Sequence, residues 1–463
     1  MQQRVGMPAH HLPRVLRFFD ISVLSSAAMG PAYSLASTMG LMVAATGSSA
    51  PWALIALSGI MLCIAVAFSS FSRVAPNAGS SYSWIRMTFG RGAGAYGAWL
   101  LILSNFFATM AIAVPAGVYT LELVSPVHAQ DPIWAAVVGA VWIVASSVLL
   151  YIGIRPTAIV TLIALALELG VLAASAIVAF FMPHPVQAVH ATHAGGAIPF
   201  TFAGFATAMT LGIWMSDGWE ISASTSEEVD DDPRAAGRGG IVGLLVSTAI
   251  LVFCMVAFLR LGTPEGFAKN EADSLAYVSE LLGGGAWRLA IVVTVMISTL
   301  STLWTTILYL SRSVFAMGRD GVLPQPLGTL DRRNEPLVSL VAVAALVTAC
   351  ELITGFSKTA ADQLNTIVNA SSVFLGLLFV FSALASARRF WGERGSFGSG
   401  VLVPLIGAVA LLGVLAATVL LEDPELRWYA WTGVGLGIPF ALWRGRKLLR
   451  DSAGTTAQEA STA

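Results

Sequence analysis

Apolar residues in this chain gather into blocks of about twenty, separated by short segments that carry most of the charge. A helix rising ~1.5 Å per residue needs about 20 residues to cross a ~30 Å hydrocarbon core. The blocks therefore predict membrane-spanning helices near 18–44, 51–72, 91–122, 132–153, 157–182 and 200–226. A second set follows near 239–260, 285–316, 337–355, 363–387, 401–421 and 428–444, twelve spans in all. The blocks are continuously apolar rather than alternating, which excludes a transmembrane β-barrel. The expected fold class is an all-α integral membrane protein.

Composition supports the same reading. The chain is 56% hydrophobic and 11% charged, with a mean hydropathy of +0.77. Soluble domains carry roughly 25% charged residues, so this chain has too few charges to cover a water-facing surface. A net charge of −1 leaves no basic footprint for nucleic acid. With the N-terminus placed inside, only Arg260, Lys269, Arg288, Lys358 and Arg427 fall in outer segments, while the other twenty of the 25 Lys and Arg fall in inner ones. That asymmetry puts both termini on the cytoplasmic side of the cytoplasmic membrane. The apolar stretch after Arg4, Arg14 and Arg17 is too long for a signal-peptide core, so it is expected to stay as the first span.

Two interruptions break the apolar pattern. Gly30-Pro31 falls inside "SSAAMGPAYS", and Ser216-Asp217-Gly218 falls in the sixth span. Proline lacks the N–H and clashes with the preceding turn, so a regular helix cannot run through the first. The breaks lie five spans apart, so the two helices run in opposite directions. Paired breaks in oppositely oriented halves predict an inverted-repeat transporter with its site between the broken helices. The expected divisions are a cytoplasmic N-terminus over 1–17, repeats over 18–182 and 200–387, two further helices over 401–444, and a disordered cytoplasmic tail over 445–463.

This arrangement nominates Ser26, Ala28, Met29 and Gly30 from the first break as substrate-binding residues. Trp214, Ser216, Asp217, Gly218, Trp219 and Glu220 are nominated from the second, with Asn105 and Trp304 reaching the cavity from spans three and eight. Ionised carboxylates at mid-membrane cost about 2.5–3.5 kcal/mol each, so Asp217 and Glu220 should line a polar cavity rather than face lipid. Asp217 could equally cap the second half of its helix, and the two roles are compatible.

Glu168 stands alone in the fifth span with no Lys or Arg there, as a proton carrier or as a protonated group bonded to a neighbouring helix. Ser298, Thr302 and Thr305 recur at helical spacing with Thr299 beside them, forming a cation site or a small-residue packing face. Coupling to H+ or Na+ is thus assigned to Glu168, Ser298, Thr299 and Thr302.

Four stretches resemble the amino acid–polyamine–organocation superfamily: "SSAAMGPAYSLA", "APNAGSSYSWIRMTFGRGAGAYGAW", "SDGWEISASTSEEVDDDPRAAGRGGI" and "SRSVFAMGRDGVLPQPL". The resemblance implies a five-plus-five fold of the leucine-transporter type with two extra helices, working by alternating access on an amino acid. In amino acid carriers of this family, backbone amides at the first break take the substrate carboxylate. Here Ala28-Met29-Gly30-Pro31-Ala32 holds one glycine where two are usual, and Pro31 removes a donor. With Asp217, this keeps an amine or polyamine substrate as the alternative.

Other chemistry is not expected. Cys63, Cys254 and Cys350 lie in apolar blocks as inert thiols, and His184, His190 and His193 have no acid or thiol among them to complete a metal site. No cofactor is implied. All six histidines fall outside the spans, which argues against an enzyme embedded in the membrane. The acidic run Glu227, Glu228, Asp230, Asp231 and Asp232, beside Arg234 and Arg238, reads as a solvated turn that could pair with inner-loop arginines to close a gate.

Overall fold

The computed structural model describes residues 12–129, 131–183, 198–230, 232, 234–271, 273–356, 360–421, 428 and 431–446. The histidines of the 184–193 segment, Asp231 and the tail beyond 446 lie outside the described residues. Helices account for the ordered elements described, and the only β-type pairing among them is a single bridge between Leu16 and Val229.

The first apolar block is two helices, α1 (Phe18–Ala28) and α2 (Pro31–Thr46), followed by α3 (Ala50–Val74). A short α4 (Ser80–Phe89) leads into α5 (Arg91–Val124), α6 (Pro132–Ile152) and α7 (Ile154–Phe181). The sixth block is also divided, into α8 (Phe202–Met215) and the single turn α9 (Ile221–Ser224). Next come α10 (Ala235–Leu261), the short α11 (Pro264–Lys269) and α12 (Ser274–Leu281), then α13 (Ala286–Arg319). The chain continues through α14 (Leu337–Thr354), α15 (Ala360–Phe390) and α16 (Val403–Leu421), and α17 covers 431–446. Among the described residues, eight helical stretches are long and apolar enough to cross a membrane, and the apolar helices Phe202–Met215 and Leu337–Ile353 are shorter.

Burial sorts these helices into a centre and a rim. The most apolar windows of α5 and α13 are 72% buried, whereas those of α6 and α7 are 39% buried. The exposed positions of α6 are apolar and recur at helical spacing, at Val137, Val141, Val144 and Val148. Ile159, Ile163 and Leu167 do the same on α7. Such stripes would be costly in water and suit hydrocarbon. In the centre, α5 and α13 pack along each other, α1 lies on α10, and α2 lies on α8. Small residues permit these approaches: a Cβ at Gly243 would meet Ser25, and one at Gly239 would meet Ile21. The result brings both interrupted helices into the centre of the bundle.

Candidate substrate cavity

At the first interruption Gly30 adopts a left-handed conformation (φ 52°, ψ 64°) and Pro31 opens α2. A proline at the first helical position forfeits only an amide that would be unsatisfied anyway. Any side chain at Gly30 would be strained, and its Cβ would overlap the Thr302 hydroxyl. The second interruption runs from Ser216 to Glu220, with Gly218 at φ 108°. A Cβ on Gly218 would approach the Met29 nitrogen to 2.9 Å and press on the Ala28 carbonyl. The two breaks therefore touch backbone to backbone, through a residue that has to be glycine.

Freed polar groups at the breaks find defined partners. Glu168, fully buried on α7, accepts hydrogen bonds at Oε1 from the Ala32 amide (2.7 Å) and the Ser298 hydroxyl (2.6 Å). The Ser298 oxygen in turn accepts from the Tyr33 amide at 3.1 Å. Glu168 thus sits at the positive end of α2, where a helix presents unsatisfied amides. Its Oε2 atom has no hydrogen-bond partner among the described residues. Thr302 donates to the Ala27 carbonyl at the end of α1 (3.2 Å) as well as to the Ser298 backbone carbonyl one turn back in α13 (2.9 Å). Glu168, Ser298, Thr302 and the Ala27 carbonyl therefore form an oxygen-rich cluster beside the first break. Thr299 is not part of it, because its hydroxyl returns to Val295 within α13.

On the other side of the breaks lies a cavity. Ala28 and Met29 form one wall, and Trp214, Asp217, Gly218 and Glu220 form another. Asn105 and Ile112 of α5 and a file of α13 residues (Thr302, Thr305, Thr306 and Tyr309) complete it, with Tyr33 and Ser34. About 20 Å³ is open to water centres, room for one or two waters. An amino acid would need the walls to part. Asp217 is half-buried and opens on the cavity, while Glu220 behind it is 1% exposed and accepts from the Gly218 amide at 3.0 Å. The residue preceding α9 is Glu220, and no side chain caps that turn. The capping role considered for Asp217 is not the arrangement seen: the single turn α9 starts too far along the chain.

Some expected site residues face elsewhere. Ser26 shares a hydrogen bond with Ser247 of α10 at 2.7 Å. Trp304 donates to Thr161 of α7 at 2.9 Å. Trp219 packs between Phe68 and Phe379, with ring centroids 5.0 and 5.5 Å away. Ser216 is fully buried and, like Gly30, does not line the cavity. Sequence reasoning missed Tyr33, Ser34, Ile112, Thr306 and Tyr309. Tyr309 had a signal, since it lies seven residues beyond Thr302 on the same helical face.

Beyond the cavity, one end of the bundle carries a set of ion pairs. Arg312 and Glu228 are both fully buried and paired at 3.2 Å, and Arg312 also meets Glu335 at 2.8 Å. Arg319 pairs with Glu227 at 2.7 Å, and Glu227 also accepts from the Ala78 amide. Arg86 pairs with Asp320 at 2.5 Å, and the Val15 and Leu16 amides donate to the Glu228 carbonyl. The acidic run is therefore only partly a solvated turn: Glu228 is buried, and its partner comes from α13 rather than from the neighbouring Arg234 or Arg238. Burial pushes the Glu228 carboxyl up to about 7, against the opposing pull of Arg312.

A polar cavity thus lies between the two interrupted helices, inside a bundle with an apolar outer surface. Residues 16–435 match the amino acid permease family, and the chain belongs to it. It is a multi-pass membrane protein that transports a small-molecule amino acid. The branched-chain amino acid permease BcaP of Lactococcus lactis is 25% identical over 83% of this chain and 84% of its own length. BcaP of Bacillus subtilis is also 25% identical, over 95% of each chain. The aromatic amino acid transport protein AroP of Escherichia coli is 26% identical over 49% of this chain and 50% of its own.

Proposed function

We propose that this permease is a secondary active transporter that moves an apolar amino acid across the cytoplasmic membrane by alternating access. The observation that carries the reading is the meeting of the two interruptions against one cavity. Twelve spans in a five-plus-five arrangement account for it: the breaks open the first and sixth spans, and the 34-residue helices α5 and α13 hold the third and eighth places. The arginine-rich end closed by Arg312, Arg319 and Arg86 is assigned to the cytoplasm, with both termini. The cavity then faces a shut cytoplasmic gate, and uptake requires that gate to part.

Met29, Ile112, Trp214 and Ile221 give the cavity apolar walls suited to a branched or aromatic side chain, in keeping with the substrates named for the relatives. Asp217, which lines the cavity, takes the ammonium group in this reading. The cluster of Glu168, Ser298 and Thr302 couples transport to H+ or Na+. An amine is the second reading, favoured by one observation: among the described residues, no Lys or Arg lines the cavity to take a carboxylate. A thermal-shift measurement with L-leucine, L-phenylalanine and 3-methylbutylamine separates the readings, because a ligand bound only by the folded state raises apparent stability. Stabilisation by either amino acid supports the first reading, and stabilisation by the amine alone supports the second.

A further inference from the structure

A hydroxyl has one proton to donate, and nearly every hydroxyl on the cavity wall has already given it to a backbone carbonyl. Tyr33 donates to Ala111 at 2.9 Å and Ser34 to Met29 at 2.7 Å. Along α13, Thr302 donates to Ala27 (3.2 Å), Thr305 to Ser301 (2.8 Å) and Thr306 to Thr302 (2.8 Å). The Asn105 amide is turned back to the Leu101 carbonyl at 3.1 Å, and the Gly218 amide donates to Glu220. One hydroxyl is left. Tyr309 lines the cavity, is 2% exposed, and has no hydrogen-bond partner among the described residues. No hydrogen bond joins it to Ser80 or Ser81 of α4, whose hydroxyls are also unpartnered but do not line the cavity.

A buried donor left unpaired is unfavourable, so a native structure that keeps one calls for a partner from outside the chain. Tyr309 lies two turns along α13 from Thr302 and on the same face, which sets it in the cavity wall. Among the described residues no Lys, Arg or His lines that wall, so a neutral O–H is what it offers an anion. Asp217 lines the same small space. An acceptor suited to an ammonium and a free donor suited to a carboxylate therefore share one cavity, and an α-amino acid carries both groups on a single carbon. Its zwitterion has no net charge. One aspartate and one neutral donor match it, and the charge of the buried site is the same before and after binding, as a low-dielectric site favours.

We infer that the Tyr309 hydroxyl donates a hydrogen bond to the substrate's carboxylate and so selects amino acids over the corresponding amines. The inference rests on the amino acid site proposed above, with Asp217 taking the ammonium group.

The test is calorimetric titration of the purified full-length protein and its Tyr309→Phe variant with L-leucine and with 3-methylbutylamine, the same molecule without its carboxylate. Losing a hydrogen bond to a charged group should weaken L-leucine binding roughly 10- to 150-fold, with the amine's affinity unchanged. The melting temperature of the ligand-free variant is the second measurement. A hydroxyl with no partner in the protein can be removed without lowering it. L-leucine held as tightly by the variant, an equal loss for both ligands, or a lowered Tm without ligand would each overturn the inference and leave the substrate site standing. If the amine binds neither protein, the L-leucine and Tm results decide. If wild type does not bind L-leucine, L-phenylalanine and 2-phenylethylamine take the places of the two ligands. Failure of wild type to bind either amino acid overturns the amino acid reading, and the inference with it.

Discussion

Gly218 and Asp217 are neighbours, but each limits the site in a different way. Gly218 is where the two breaks touch, so Gly218→Ala should push Ala28 and Met29 away and abolish uptake, with a lowered melting temperature in the purified protein. Normal uptake by that variant would mean that the close approach is dispensable. Asp217 offers charge rather than fit. A hydrogen bond to a charged group is worth about 1.5–3 kcal/mol, so Asp217→Asn should weaken substrate binding roughly 10- to 150-fold. An unchanged Kd in a binding titration would remove Asp217 from the site. Glu168 is separate from both and sits beside α2. Glu168→Gln should flatten the pH dependence of uptake and stop proton-driven accumulation while leaving substrate counterflow intact. Accumulation unchanged by that variant would give Glu168 a purely structural role.

At the scale of elements, the proposed function assigns the ion pairs around α13 the role of a gate at one end of the bundle. Arg312→Gln would leave Glu228 and Glu335 buried without their cation, a loss of ~3–5 kcal/mol for a broken buried pair. The expected readout is faster labelling of a cysteine at Thr306, in a background with Cys63, Cys254 and Cys350 replaced, by a membrane-impermeant thiol reagent on that side. The pH dependence follows from Glu228, which is held at about 7 when buried and returns to ~4.3 once solvated. The closed arrangement binds the proton more tightly, so acidification from pH 7 towards 5 favours closure and slows labelling, and Glu228→Gln should remove that dependence. Labelling that speeds up on acidification would reverse the assignment.

The breaks themselves were legible in the sequence: a regular helix cannot run through Gly30-Pro31, and Ser216-Asp217-Gly218 puts a polar residue, an acid and a glycine together inside an apolar span. The direction in which Ser26, Trp219 and Trp304 point was not. Each lies within a turn or two of the site, and their rotation was decided by Ser247, Phe68 and Thr161, which are far away in sequence. The pairing of Glu228 with Arg312 was hidden for the same reason, since the nearest arginines along the chain are Arg234 and Arg238.

At the scale of the whole molecule, the proposed function requires a bundle whose cavity is too small for an amino acid to exchange two closed arrangements around a fixed site. Such a carrier reorients with substrate bound, whereas a channel opens a continuous path. The most direct test is counterflow in proteoliposomes containing the purified protein, loaded with unlabelled L-leucine and diluted into a trace of the labelled amino acid. Saturable accumulation of label above its external concentration, abolished when unlabelled L-leucine is omitted from the lumen, is the expected result. Label that only equilibrates, at a rate that rises without saturation as L-leucine is added, would contradict alternating access.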